Sequence, residues 1–140
     1  MNSLTILFLF FSLTLQAQNP DIPKYIGCDN PKGKKMKNLC NSSIQKSMLD
    51  YAADKIKNYG DRVPQGKTHL TLTVSKTGEM HKITYSDFDN EKFAKFCALI
   101  LNEIKNDFNK YQIKLYPKKD KLSNEPIDFE LKFPIQLTFE

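Results

Sequence analysis

The segment from Lys67 to Ile104, KTHLTLTVSKTGEMHKITYSDFDNEKFAKFCALILNEI, limits what this chain can become more than any other. Leu70, Leu72 and Val74 alternate with Thr71, Thr73 and Ser75. A period of two marks a strand with one buried face. Lys76-Thr77-Gly78-Glu79 then reads as a tight turn in which Gly78 takes the positive-φ position. A second strand follows from Met80 to Tyr85. After Asp87-Phe88-Asp89 the period changes, and Phe93, Phe96, Cys97, Ile100, Leu101, Ile104 and Phe108 recur at three- and four-residue steps. That spacing lines one face of a helix. A hairpin and an amphipathic helix each leave an apolar face that other segments must cover.

The hairpin register follows from its apolar rows. With Ser75 opposite Met80, Leu72 faces Ile83 and Leu70 faces Tyr85, so both rows fall on one side of the sheet. The same register puts His69 near Ser86 and His81 near Val74. At the strand rise the two histidines are then roughly 17 Å apart and on opposite faces. A shared metal ion or a histidine acid–base pair is excluded by that geometry.

The flanking segments complete the order of elements. Residues 41–60 predict a first helix, with Ser42 and Gln45 as a capping box, Asn41 as the alternative cap and Gly60 as the stop. Its apolar stripe is Ile44, Met48, Tyr51, Ala52, Ile56 and Tyr59. Residues 61–66 read as a loop. Residues 109–125 are a basic, polar connection in which Tyr111 to Tyr116 alternates like a short strand and Pro117 to Glu125 reads as loop. From Ile127 to Phe139 a long strand is expected. Ile127, Phe129, Leu131, Phe133, Ile135, Leu137 and Phe139 share one phase, and Pro134 falls in the other. Proline has no amide donor, so it belongs on an edge strand or at a bulge. The order is helix, strand, strand, helix, strand, within a length that suits one domain.

The first seventeen residues, MNSLTILFLFFSLTLQA, carry an apolar run from Leu4 to Leu15 that is too short for the roughly twenty residues of a membrane span. They read as a signal peptide cleaved after Ala17, leaving no transmembrane segment. The absence of Cys at the cut argues against a lipid anchor. Residues 18–40 are rich in Pro and Gly, which excludes regular structure for most of the segment. Cys28 and Cys40 bracket it, and export makes a Cys28–Cys40 bridge the expectation. Two thiols with no nearby His make a poor metal site. Cys97, between Phe96 and Ile100 on the apolar stripe, reads as a small buried hydrophobe. The domain proper is expected at 41–140, in the periplasm or outside the cell.

The formal charge is +5, and the excess lies at Lys32–Lys37 and Lys114–Lys121. These lysines sit among Asn, Gly, Pro and Ser, and Arg is almost absent, so a solvated surface fits better than a nucleic-acid interface. The carboxylates are scattered, both histidines are isolated, and no G-x-S-x-G or metal-ligand spacing occurs. The reading is therefore not an enzyme, with no cofactor and no metal.

Several residues together resemble the C-terminal domain of the TonB family, in the form common in Bacteroidetes. They are Gly27-Cys28 and Cys40 ahead of the first helix, the hairpin LTLTVSKTGEMHKI, the helix EKFAKFCALILNEI and the closing FELKFPIQLTF. The resemblance covers about residues 25–139 and is to a stand-alone exported form, without membrane anchor or Pro-rich spacer. It departs from the family after the second helix, where a Lys-rich segment without Trp stands. The resemblance implies an α+β fold: a small antiparallel sheet of three strands, in the order α-β-β-α-β, with two helices on one face. It also implies a protein-binding module that grips an extended peptide by strand addition, such as the TonB-box peptide of an outer-membrane transporter. The last strand would be the open edge, flanked by the outward groups Asp128, Glu130, Lys132 and Gln136. A homodimer or self-associating envelope protein using the same edge is the alternative.

Overall fold

The structure, a computed structural model, describes residues 6–9, 24–59 and 64–139. The alternation of Leu70, Leu72 and Val74 with threonines becomes β2 (Gly66–Val74), where those three are fully buried. β3 (Met80–Ser86) returns antiparallel, with Leu72 opposite Ile83, Leu70 opposite Tyr85 and His69 opposite Ser86. Near the turn the expected register slips by one residue, so that Val74 rather than Ser75 pairs with Met80. The cause lies in the turn, where the Ser75 amide bonds to the Glu79 carbonyl at 2.9 Å and the Gly78 amide to the Ser75 carbonyl at 2.8 Å. Gly78 has φ +90°, in the left-handed region expected of it.

The helix α3 (Glu91–Lys110) lies across β2 and β3. All seven residues of its expected stripe are buried. Asn90 caps it, its side chain accepting from the Lys92 amide at 3.1 Å. The helix α2 (Ile44–Tyr59) packs on α3 and contributes Ile44, Met48, Ala52 and Ile56 to the same core. Its cap is one residue later than the sequence suggested. Ser43 Oγ accepts from the Lys46 amide at 3.1 Å, whereas Ser42 is buried, with its carbonyl taken by the Tyr25 hydroxyl at 2.8 Å. The expected stop at Gly60 lies outside the described residues.

The last strand is β6 (Phe129–Phe139), antiparallel to β2 from Phe129 to Leu137. Leu131, Phe133, Ile135 and Leu137 are buried under the helices, and Glu130 and Lys132 are exposed on the opposite face. The α+β architecture expected from the resemblance is thus present, as a small antiparallel sheet with helices on one face. Each large apolar side chain taken from water in such a core is worth about 1.5–3 kcal/mol. Among the described residues no buried side-chain nitrogen or oxygen lacks a partner.

Three features differ from the sequence reading. The segment expected to be irregular contains the helix α1 (Gly33–Cys40). Pro31 precedes it and so does not break it, while Leu39 and Cys40 are buried and Met36 packs on the core. Tyr111–Tyr116 is not a strand. Among the described residues it pairs through a single bridge, in which Lys114 and Ile26 exchange two hydrogen bonds of 2.9 Å. The long final strand is interrupted at Asp128, and Ile127 belongs to a separate two-stranded hairpin of β4 (Lys118–Lys119) and β5 (Pro126–Ile127).

The Cys28–Cys40 bridge is present, with the two Cα atoms 5.7 Å apart, and Cys97 is free and buried. The bridge joins α1 to the strand-like segment at Ile26. Tyr25 sets its ring edge-on to Phe108 at 5.3 Å between centroids, which seats that segment against the end of α3. A further strand, β1 (Ile6–Leu9), comes from the expected leader and pairs antiparallel with Leu137–Phe139 of β6. The rest of the leader and its cut after Ala17 lie outside the described residues.

Candidate functional site

Backbone direction, not side-chain chemistry, defines the most open feature of this sheet. The Lys67 amide donates to Asp89 Oδ1 at 2.8 Å, and the Lys67 carbonyl accepts from the Asp89 amide at 3.4 Å. Both backbone groups of Lys67 therefore turn away from β6, although Lys67 is paired with Gln136. Antiparallel ladders alternate between pairs that exchange hydrogen bonds and pairs that do not. It follows that Lys67, His69, Thr71 and Thr73 all turn from β6, and that their partners Gln136, Pro134, Lys132 and Glu130 turn from β2. Pro134 is an independent check, because it stands opposite His69, where β2 asks for no donor.

The outer edge of β6 thus presents the amides of Glu130, Lys132 and Gln136 and the carbonyls of those residues and Pro134. Among the described residues no strand pairs with Phe129–Gln136 on this side, since β1 reaches only Leu137–Phe139. The expectation of a wholly free last strand is corrected to that extent: the sheet order is β1-β6-β2-β3, and the final three residues of β6 are covered. Pro134 leaves a gap in the row of donors, which limits indiscriminate pairing along the edge.

Of the four outward residues named from the sequence, the structure brings three together. Glu130 and Lys132 are exposed and Gln136 is half-buried, all on the face away from the helices. Asp128 does not join them. It sits in the break between β5 and β6, where its Oδ1 accepts from the Lys76 amide at 2.7 Å and holds the β2–β3 turn. The opposite border of the sheet, β3, is partly occupied, because Lys105 Nζ of α3 donates to the His81 carbonyl at 3.3 Å.

A second feature was not visible in the sequence. Between α1, α2 and α3 lies a polar cleft of about 650 Å³. In it the Tyr51 hydroxyl donates to Asp107, and Lys35 pairs with the same carboxylate at 3.1 Å. Lys35 also stands over the Tyr51 ring at 5.8 Å, and Lys55 pairs with Glu103 at 2.7 Å. Burial first, and then the Asp107 carboxylate, push the Tyr51 hydroxyl well above its ordinary pKa. It remains a hydrogen-bond donor at any ordinary pH. These groups fasten the outer helices to α3. The individual residues signal nothing in the sequence, since they come from three helices and meet only on packing.

The histidines stay apart. His69 Nδ1 lies 3.6 Å from Asp87 Oδ2 on the exposed side, and His81 is exposed beyond the turn. Among the described residues no group of three or more His, Cys, Asp or Glu is placed to hold a metal ion, and no helix is long and apolar enough to cross a membrane. Comparison with protein-family models, with curated proteins and with solved structures finds no match for this chain.

Proposed function

We propose that the chain is an exported protein-binding module that takes up an extended peptide along the outer edge of β6. The observation that carries this reading is the run Glu130–Gln136, in which the backbone groups of every second residue turn outward with no strand upon them among the described residues. An added strand would draw most of its affinity from main-chain hydrogen bonds and its selectivity from the flanking side chains. Glu130 and Lys132 would read opposite charges at neighbouring outward positions. The antiparallel seat of β1 on the adjoining Leu137–Phe139 supports the reading, because it is strand addition at the same border. Cleavage after Ala17 would remove β1 and lengthen the free edge to Phe139.

The Cys28–Cys40 bridge is compatible with an oxidising compartment outside the cytoplasm. Together with the resemblance to the TonB C-terminal domain, it favours an envelope protein as partner, with the TonB-box segment of an outer-membrane transporter as the first peptide to try. The test is titration of the isotope-labelled protein with such a peptide. Amide shifts should concentrate at Glu130, Lys132 and Gln136. No shifts at millimolar peptide would remove the proposal. Shifts at the same residues on raising protein concentration alone, with a dimer in sedimentation, would assign the edge to self-pairing instead.

A further inference from the structure

The hairpin of β4 and β5 plays no part in the peptide edge, yet its tip is unusual. Leu122 is 98% exposed, the highest of any large apolar residue described. It is held there. The Asp120 amide bonds to the Glu125 carbonyl at 2.9 Å, the Asn124 amide to the Asp120 carbonyl at 2.9 Å, and the Leu122 amide to Asp120 Oδ1 at 2.9 Å. Below the tip, Lys118 pairs with Ile127 and Lys119 with Pro126. A leucine displayed on a built turn loses apolar contact that a floppy loop would recover by folding back.

Its surroundings are cationic. Lys118, Lys119 and Lys121 are all exposed around the tip, and Tyr116 at the base is 59% exposed. The β2–β3 turn adds the exposed Lys76, because its amide is tied to Asp128 at the root of the hairpin. Asp120 and Asp128 accept from backbone amides, Glu79 pairs with Lys114 at 3.4 Å, and Glu125 is exposed on the far arm of the hairpin. Lys118, Lys119, Lys121 and the neighbouring Lys76 outnumber the carboxylates of Asp120, Glu125 and Asp128, which leaves a modest cationic excess at this end.

From this geometry we infer that the Lys118–Ile127 hairpin is a contact with an anionic lipid surface. Leu122 enters the headgroup region, Lys118, Lys119 and Lys121 lie against the phosphates, and Tyr116 sits at the interface. A protein pocket is the less fitting occupant, since protein hot spots favour Trp, Tyr and Arg at a packed centre. A lone aliphatic tip ringed by lysines suits a fluid, diffusely charged layer, for which Lys needs no bidentate geometry. Tyrosine is enriched at that depth. β6 starts beside the hairpin and runs away from it, so a bilayer at this end leaves the outer edge of β6 accessible.

Cosedimentation with vesicles tests the inference, using phosphatidylcholine alone and phosphatidylcholine with phosphatidylglycerol. Wild-type and variant chains carry the same N-terminal segment, so their difference reports the hairpin. The wild type should favour the anionic vesicles and lose that preference at molar salt. The triple variant Lys118→Gln, Lys119→Gln, Lys121→Gln should bind about a hundredfold more weakly, at about fivefold per lysine. Leu122→Asp should lose about tenfold or more. Both variants change exposed side chains, and circular dichroism and peptide binding at β6 should match the wild type. Equal vesicle binding by all three proteins would overturn the inference. So would equal binding of the wild type to the neutral and the anionic vesicles, which would leave the lysines without a role.

Discussion

Replacing Gly78 by alanine, with Gly33 as its control, measures how firmly the β2–β3 turn is clamped. Both glycines have positive φ, +90° and +81°. An alanine at either position therefore carries the left-handed penalty of about 1–2 kcal/mol. They differ in surroundings. A Cβ on Gly33 meets nothing within 4 Å beyond its own helix, whereas one on Gly78 would stand 2.0 Å from the Leu115 carbonyl oxygen and 3.1 Å from its carbon. Leu115 must then retreat by about an ångström to reach the 3.0 Å below which real Cβ contacts essentially never fall. That movement breaks the hydrogen bond from the Leu115 amide to the Gly78 carbonyl, now 2.9 Å. Such a bond is worth about 1 kcal/mol net. Ile113, two residues back and buried, is pulled along. The sum is about 2–3 kcal/mol for Gly78→Ala and about 1–2 kcal/mol for Gly33→Ala. Urea unfolding with a shared m-value gives both numbers. If the two variants lose the same stability to within about half a kcal/mol, the turn is not braced by Leu115 and the clamp is wrong.

Other expectations follow from single features. Amide exchange should alternate along β6, with Leu131, Phe133 and Ile135 on the order of a thousandfold slower than Glu130 and Lys132; uniform protection would mean that the outer edge is covered. Lys132→Pro should keep the fold yet abolish peptide uptake, because its amide turns from β2; loss of folding would show that the amide is a ladder donor. Replacing Cys28 and Cys40 by serine opens a loop of sequence separation 12 and should cost about 3 kcal/mol in the chain-entropy model, read as a lower denaturant midpoint. Burial pushes the Cys97 thiol up to about 12 from 9.0. A raised folded pKa means that the unfolded chain loses its proton first. Stability should therefore fall between about pH 9 and 12, with a share from Cys97 of at most roughly 1.4 kcal/mol per unit; Cys97→Ala removes that share and keeps the fall of the same sign that the raised Tyr51 hydroxyl adds above about pH 10. Thiol reagents should leave native Cys97 unlabelled at neutral pH.

Much of this architecture can be read directly from residue spacing. Leu70, Leu72 and Val74 announce β2 because a half-buried strand must alternate, and the seven-residue stripe from Phe93 to Phe108 announces α3 because a helix repeats near 3.6. The four outward residues were less legible. Their side-chain phase holds for Glu130, Lys132 and Gln136, whereas Asp128, in the same phase, is a tether for Lys76 and not a strand residue. Alternation continues through a one-residue break, so hydropathy cannot see it. The helix α1 is hidden for the opposite reason: half of its eight residues are lysine or asparagine, and Met36, Leu39 and Cys40 are the ones that reach the core. A segment so polar is held helical by the Cys28 bridge and by Lys35 at Asp107, contacts between residues far apart in the chain.

By itself the order of amino acids determined the main elements, β2, β3, α2, α3 and β6 beyond Asp128, and which side of each is apolar, because those follow from local periodicity. Tertiary structure alone decided which strand borders which, and so which backbone groups are left over. The amide of Lys132 is indistinguishable in sequence from that of Phe133. It becomes an open donor only because Lys67, sixty-odd positions earlier, turns its own amide to Asp89 and sets the phase of the whole ladder. Hydrogen-bond direction in a sheet passes from strand to strand, and no spacing of side chains within one strand records it.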